Sequence, residues 1–342
     1  MQTIDTVVIG AGHAGLAVSR LLTDSGREHV VIERGRVAER WRTERWDSLN
    51  LLTPNWMTRL PAYRYSGCDP DAFMSVERFV RYLERYADAF GAPVHPATTV
   101  LELSRASSGG YRVVTDRGTW RARHIVIATG PHSLLRMPAG LAAAEVLTAN
   151  RYRNPAQLAP GGVLVVGASS SGTQIADELN RAGREVVVAA GRHTRVPRRY
   201  RGMDIFWWLE RTGRLARTID DVPDTSTARG EPSLQLIGSG AEHDEHDVDL
   251  VGLQARGVRL VGRLDGLERG RVRFRADLAQ NAAMADDKMY RLLNTVDEHI
   301  ARTGLTDEVL PAHRPRPFDP PAPTLSLRLS RAGIGTVLIA AG

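Results

Sequence analysis

One short pattern occurs twice in this chain: an apolar strand, a glycine-rich turn, a helix and a second apolar strand. The first copy is Ile4–Ile9, the turn Gly10-Ala11-Gly12-His13-Ala14-Gly15, a helix over Leu16–Thr23 stopped by Ser25-Gly26, and a strand from His29 to Ile32 ending at Glu33. The second is Val163–Val166, the turn Gly167-Ala168-Ser169-Ser170-Ser171-Gly172, a helix over Thr173–Ala182 stopped by Gly183, and a strand over Glu185–Ala190. A strand, tight turn, helix and strand in this order force two parallel strands joined by a right-handed crossover. Two such units in 342 residues predict two domains of one α/β kind.

The spacing inside the turns says what they can hold. Gly10, Gly12 and Gly15 follow a strand and open a helix, and Glu33 stands 23 residues after Gly10 at the end of the next strand. That context is the dinucleotide fingerprint: the first glycine permits the turn, the second admits a pyrophosphate and the third lets helix and strand pack closely, while the acid accepts hydrogen bonds from a ribose. The second turn keeps Gly167 and Gly172 but puts Ser169 at the middle glycine, where a small hydroxyl still admits a phosphate; Ser171 follows. Its position 23 residues on is Ala190, followed by Gly191-Arg192. An acid would repel a ribose 2′-phosphate, and its absence beside arginine favours one. The sequence therefore predicts an unphosphorylated ribose at the first site and NADP(H) at the second, with Arg195, Arg198 and Arg199 adding to the positive field. The competing reading is a solvated loop in an arginine-rich chain. Hydride transfer from NADPH to FAD is the chemistry that uses such a pair of sites.

Composition narrows the rest. Lysine and arginine number 45 against 39 acids, and only Lys288 among the 45 is lysine. The arginines alternate with acids, as in Arg34, Arg36, Glu39, Arg40, Arg42, Glu44 and Arg45, which disfavours a nucleic-acid surface. No apolar run reaches membrane-spanning length and no signal-peptide pattern opens the chain, so a cytoplasmic protein is expected, with oligomeric state open. Cys68 is the single cysteine, which excludes a redox dithiol within these residues. His243-Asp244-Glu245-His246-Asp247 holds metal-ligand types but reads as a polar loop, and no metal is expected.

Between the repeats, Ser75–Phe90 has helical apolar spacing with Ser75 able to cap. Thr99–Leu103, Tyr111–Thr115 and Thr119–Arg123 alternate as a small antiparallel sheet, and His124–Ala128 reads as a separate strand. Pro311–Pro323, with six prolines in 13 residues, reads as an extended linker, and Gly335–Ala340 as a last strand. The expected organisation is an FAD domain formed by 1–155 plus 326–342, with an NADPH domain of 156–325 inserted into it.

Several stretches give the chain a specific resemblance. Val7–Gly15, Glu39-Arg40-Trp41-Arg42, Leu51-Leu52-Thr53-Pro54-Asn55-Trp56, Ile125–Gly130, Tyr152-Arg153-Asn154-Pro155 and Gly191–Trp208 resemble the NADPH-dependent, FAD-containing monooxygenases with two dinucleotide-binding domains, in particular bacterial flavoproteins of that type. The resemblance implies that Gly10, Gly12, Gly15 and Glu33 hold the ADP part of FAD. It implies that Trp41 and Arg42 line the cofactor, that Thr129 and Gly130 close over it, and that Gly167, Ser169, Ser171, Gly172 and Arg192 hold NADPH. Asn55 matches an asparagine beside the reactive edge of the flavin. It is the candidate catalytic residue, against a plain reading as a turn residue after Pro54.

The implied activity is insertion of one oxygen atom from O2 into a small organic substrate through a flavin (hydro)peroxide, with no nucleic-acid or membrane partner. Two departures stand against it. The family's Phe, Gly and His before the second turn are Ala142, Ala144 and Thr148 here, with only Tyr152 retained. The resemblance also implies that the family's C-terminal segment, which returns to the FAD domain, is missing after Gly342. A reductase or oxidase without oxygen insertion, and a non-catalytic nucleotide-binding remnant, are the alternatives.

Overall fold

The computed structural model describes residues 1–107, 109–130, 145–222, 224–225, 234–237 and 248–341. The chain divides into two compact units, Met1–Leu135 and Arg136–Gly342.

In the first unit the run Gln2–Ile9 forms the centre of a six-stranded sheet. The order is Val94–His95, His29–Ile32, Gln2–Ile9, Gly118–Ile127, Tyr111–Thr115 and Val100–Arg105. The first four strands run parallel and the last two join antiparallel. The stretch expected to be two strands, Thr119–Arg123 in a small antiparallel sheet and His124–Ala128 as a separate strand, is a single ten-residue strand. Residues 118–122 pair with Tyr111–Thr115 and residues 120–127 with Gln2–Ile9, so one backbone serves both ladders.

Helix Val76–Ala89 covers one face of this sheet. Ser75 caps it by accepting the Arg78 N–H at 3.3 Å, as expected from sequence. Its Phe79, Leu83 and Tyr86 pack with Val8, Leu16 and Val31. The other face buries Val7, Val30 and Ile32 with Val113 and Ala122. Tyr82, on the same helix, donates to the carbonyls of Thr58 (3.3 Å) and Tyr63 (3.2 Å).

Burial, then the neighbouring Tyr63 and Tyr86, push the Tyr82 phenol up to about 12. An unfolded tyrosine ionises near 10, so the folded state keeps a proton that the unfolded state gives up. The resulting stabilisation is complete below pH 10 and is lost as pH rises from 10 to 12, by up to roughly 2–3 kcal/mol. Urea midpoints measured across that range should fall steeply in the wild type and less steeply in Tyr82→Phe. An equal slope in both would remove Tyr82 as the cause.

The second unit repeats the scheme with an all-parallel five-stranded sheet. Its order is Glu145–Thr148, Ile334–Ile339, Gly162–Val166, Val186–Ala189 and Arg259–Val261. This corrects the expected domain organisation. The strand at 334–339, assigned above to the FAD domain, lies inside the second sheet, hydrogen-bonded to Glu145–Thr148 on one side and Gly162–Val166 on the other. Residues 145–148, placed before the domain junction, also belong here. The reason is burial: Val337, Leu338 and Ile339 are all at most 2% exposed, which a strand between two parallel neighbours achieves.

One face of this sheet is covered by helix Ser170–Arg181, which buries Ile175 and Leu179. The other packs on a small antiparallel sheet of Leu264–Glu268, Arg271–Phe274 and Ser326–Arg328, through Leu267, Val272, Phe274 and Leu327. The proline-rich stretch 311–323 runs without helix or strand, as expected. The helix Leu278–Thr303, 26 residues long, was not expected.

Candidate functional site: two glycine cradles

The first cradle is built from backbone collisions that only glycine avoids. Gly10 has φ +108°, and a Cβ on it would stand 2.6 Å from the Ala128 carbonyl oxygen at the end of the neighbouring strand. A Cβ on Gly15 would stand 1.9 Å from the Gly10 carbonyl oxygen, inside contact distance. Gly12 is different: its missing Cβ faces open space, with no heavy atom within 4 Å. An unobstructed glycine at a helix N-terminus is the opening through which a pyrophosphate can approach.

Glu33 closes the cradle from the next strand. It is 9% exposed, and its carboxylate accepts the Ala11 N–H at 2.8 Å and the Gly35 N–H at 3.0 Å. A carboxylate has about four acceptor positions, so two stay open for ribose hydroxyls.

Around this core the expected residues divide. Thr129 offers its carbonyl to Arg40 Nη1 at 3.0 Å, and Gly130 takes φ +76°, so the helix Glu39–Thr43 is tied to the turn after the central strand. Arg40, not singled out from the sequence, makes this tie; the arginine alternation around it hid which guanidinium reaches back. Trp41 packs edge-on against Phe79, with ring centroids 4.7 Å apart and the Arg45 guanidinium 4.9 Å from its ring. Arg42 is committed elsewhere: it donates to the Val37 carbonyl at 3.2 Å and forms an ion pair with Glu84.

Asn55 lies in a separate cleft of the first unit. It is 1% exposed, its Nδ2 donates to the Asp69 carbonyl at 2.9 Å, and its Oδ1 is buried with no hydrogen-bond partner.

The second cradle reproduces the first almost atom for atom. Gly167 has φ +117°, a Cβ on it would stand 2.7 Å from the Ala340 carbonyl oxygen, and a Cβ on Gly172 would stand 2.0 Å from the Gly167 carbonyl oxygen. Gly10 N–H donates to Ile32 O at 2.8 Å and Gly167 N–H to Ala189 O at 3.0 Å. Ala128 N–H donates to Ile9 O at 2.9 Å and Ala340 N–H to Val166 O at 2.8 Å. Each cradle therefore needs a parallel strand end beside its first glycine, and Ile334–Ile339 supplies it for the second. Ser169 caps the helix without using its side chain for a cap hydrogen bond, which leaves its hydroxyl to donate to a ligand, and Ser171 is the second residue of the helix.

The electrostatics at the second cradle differ from the first. Ala190, fully buried, stands where the first has Glu33. Arg192 is exposed beside it. Arg195 and Arg198, expected to reinforce it, do not: Arg195 is buried against Asp249 (2.9 Å) and Asp286 (2.6 Å), and Arg198 is buried against Asp204 at 3.4 Å. A different residue supplies the second cation. Arg263, exposed at the end of the adjacent parallel strand, lays its stem over Gly191, which a Cβ would meet at 3.7 Å. It is 71 residues from Arg192 in sequence, and the strand order brings it to Gly191, the residue before Arg192.

Tyr152, the retained fingerprint residue, is fully buried and donates to Glu178 at 2.6 Å, so it anchors the second helix. Thr148 bonds to Asn150. Ala142, Ala144 and the His243–Asp247 cluster lie outside the described residues.

Residues 7–203 match the family described as pyridine nucleotide-disulphide oxidoreductase. The chain belongs to that family. It is 37% identical over 221 residues to an oxidoreductase named CzcO-like from Geobacillus kaustophilus, a match covering 62% of each chain. It is 34% identical over 213 residues to the indole-3-pyruvate monooxygenase YUCCA1 of Oryza sativa, covering 58% of this chain and 51% of that one. The chain thus matches less than two thirds of the length of these relatives. Among solved structures, a flavin-containing monooxygenase from Stenotrophomonas maltophilia superposes with a TM-score of 0.59 at 22% identity, over 80% of this chain and 74% of that one, and so shares the fold. The two cradles are those of the FAD- and NAD(P)-binding fold.

Proposed function

We propose that this chain is an NADPH-dependent FAD oxidoreductase that acts as a monooxygenase, inserting one atom of O2 into a small organic substrate. The observation that carries the reading is the pair of cradles with the same backbone and opposite ribose chemistry. Glu33 suits the free ribose hydroxyls of FAD, and Ala190 with Arg192 and Arg263 suits the 2′-phosphate of NADPH. When bound, FAD supplies the two-electron acceptor and the centre that meets O2.

The chain's own part is positional. The N–H groups at the helix starts, from Gly12 to Gly15 and from Ser169 to Gly172, face one pyrophosphate each, while Gly10 and Gly167 donate theirs to Ile32 and Ala189 and shape the turns. Asn55 holds an unused carbonyl acceptor in a buried place and has no proton to release. Oxygen insertion, rather than simple oxidase turnover, is supported by the monooxygenase named among the relatives. Thr148 in place of the family's histidine favours the second reading, a reductase or oxidase. Disulphide reduction is disfavoured, since one exposed cysteine, Cys68, cannot form a dithiol.

The test is the visible spectrum of the FAD-loaded protein under anaerobic NADPH, followed by air and substrate candidates. Bleaching by NADPH and oxygenated product with little peroxide support the monooxygenase. Stoichiometric peroxide in every case supports the oxidase, and no bleaching removes both.

Nucleotide choice gives a sharper prediction. Arg192→Ala and Arg263→Ala each remove one charge-assisted contact, about 1.5–3 kcal/mol, or roughly tenfold to a hundredfold in the NADPH-over-NADH ratio of kcat/KM. NADH turnover should change little. An unchanged ratio in both variants would place the 2′-phosphate elsewhere.

A further inference from the structure

The first unit contains a cleft of about 450 Å³ that neither cradle uses, in the size range of small-molecule sites. Its composition is lopsided. Four guanidiniums border it, Arg64 from a hairpin and Arg78, Arg81 and Arg85 from one side of helix Val76–Ala89, and no carboxylate lines it. Among the described residues the one acid paired with them is Glu77, which reaches Arg81 at 3.7 Å between two exposed side chains, a weak pair. Arg64, Arg78 and Arg85 enter no ion pair among the described residues. In a chain that interleaves arginine with acid almost everywhere, four cations on one concave surface without acids concentrate positive potential there.

The remaining walls are aromatic. Tyr63 is fixed by Tyr82 and Tyr86, with ring centroids 5.0 and 5.2 Å away. Tyr65 folds over Gly67 so closely that a Cβ there would stand 2.2 Å from its hydroxyl. Asn55 contributes the one feature that a simple charged surface lacks. It is 99% buried, belongs to the cleft lining, and has an Oδ1 that is shut off from water and has no donor. A buried acceptor left unsatisfied costs about 1–3 kcal/mol, and a ligand donor would recover it.

We propose that this cleft is a binding site for a small aryl carboxylate: the carboxylate held by the Arg78 and Arg85 guanidiniums, the ring against Tyr63 and Tyr65, and an N–H or O–H of the ligand donated to Asn55 Oδ1. Arginine forks match planar carboxylates in two-point contact, and tyrosine faces accept an aromatic ring. This binding inference goes beyond the oxidoreductase reading and shares only Asn55 with it; the arginine and tyrosine contacts stand without it.

Calorimetric titration of the full 342-residue, FAD-loaded chain tests it, with phenylacetate, its neutral isostere phenylacetamide, and inorganic phosphate as probes. Phenylacetate should bind roughly tenfold or more tightly than either, and more weakly as salt is raised. Arg78→Glu and Arg85→Glu should each weaken it at least about tenfold. Arg105→Glu, the same charge change on an edge strand of the first sheet, should not. Equal binding of the amide, equal binding of phosphate, no binding of phenylacetate, or indifference to the two helix variants would each overturn the proposal. NADPH bleaching of the flavin, recorded on the same samples, reports separately on the oxidoreductase reading. All three exchanges are at exposed positions, so folding is expected to survive them.

Discussion

Gly15→Ala is expected to abolish FAD retention, and Gly172→Ala to leave the flavin bound while abolishing its reduction by NADPH. In each case the new methyl group would lie on a backbone carbonyl oxygen, 1.9 Å away at Gly15 and 2.0 Å at Gly172. Backbone cannot swing aside as a long side chain can, so helix and strand must part. The overpacking should cost about 3 kcal/mol and move the N–H groups that face the pyrophosphate. Gel filtration followed by the flavin spectrum reads the first effect, and anaerobic bleaching reads the second. The opposite pattern would reverse the assignment of the cradles, and full function in both variants would take the cofactors out of them.

Arg195→Met should produce the largest loss of stability from one side chain in the second unit. Arg195 is 3% exposed and bridges Asp249, 1% exposed, and Asp286, 6% exposed. Asp286 also accepts the Phe318 N–H at 2.8 Å, so the cluster ties the strand Thr194–Pro197, the long helix and the proline-rich arm together. Removing the cation leaves two buried carboxylates without their counter-charge, a change that costs about 3–5 kcal/mol. Denaturant unfolding measures it, and a loss under about 1 kcal/mol would contradict the burial argument. Because this arginine is spent inside the fold, the NADPH-over-NADH ratio measured below the transition should stay unchanged, in contrast to Arg192→Ala.

The helix that carries Asp286 shows why part of this was hidden. Its buried positions, Leu278, Ala282, Ala285, Met289, Leu293, Val296 and Ile300, do follow helical spacing. Small alanines and the polar residues between them dilute the pattern, and nothing local says that the helix will supply a counter-ion to a residue 91 positions earlier. The same limit misdirected the reading of Arg195 and Arg198. Sequence places them beside Arg192, while the fold turns them inward.

What the sequence determined alone is whatever depends on neighbours along the chain. Both glycine turns, the capping serine at Ser75, Glu33 at a strand end and its replacement by Ala190 are local facts, since turn sterics and helix caps involve residues only a few positions apart. What only the tertiary structure decided is whatever depends on which strands lie side by side. The last strand entered the second sheet, where Val337, Leu338 and Ile339 are buried between two parallel neighbours and Ala340 stands beside Gly167 as Ala128 does beside Gly10. The pairing of Arg263 with Gly191 and the acid-free arginine cleft at Asn55 arise in the same way. Strand order and burial are set by the packing of distant segments, and periodicity along one segment carries no record of its partners.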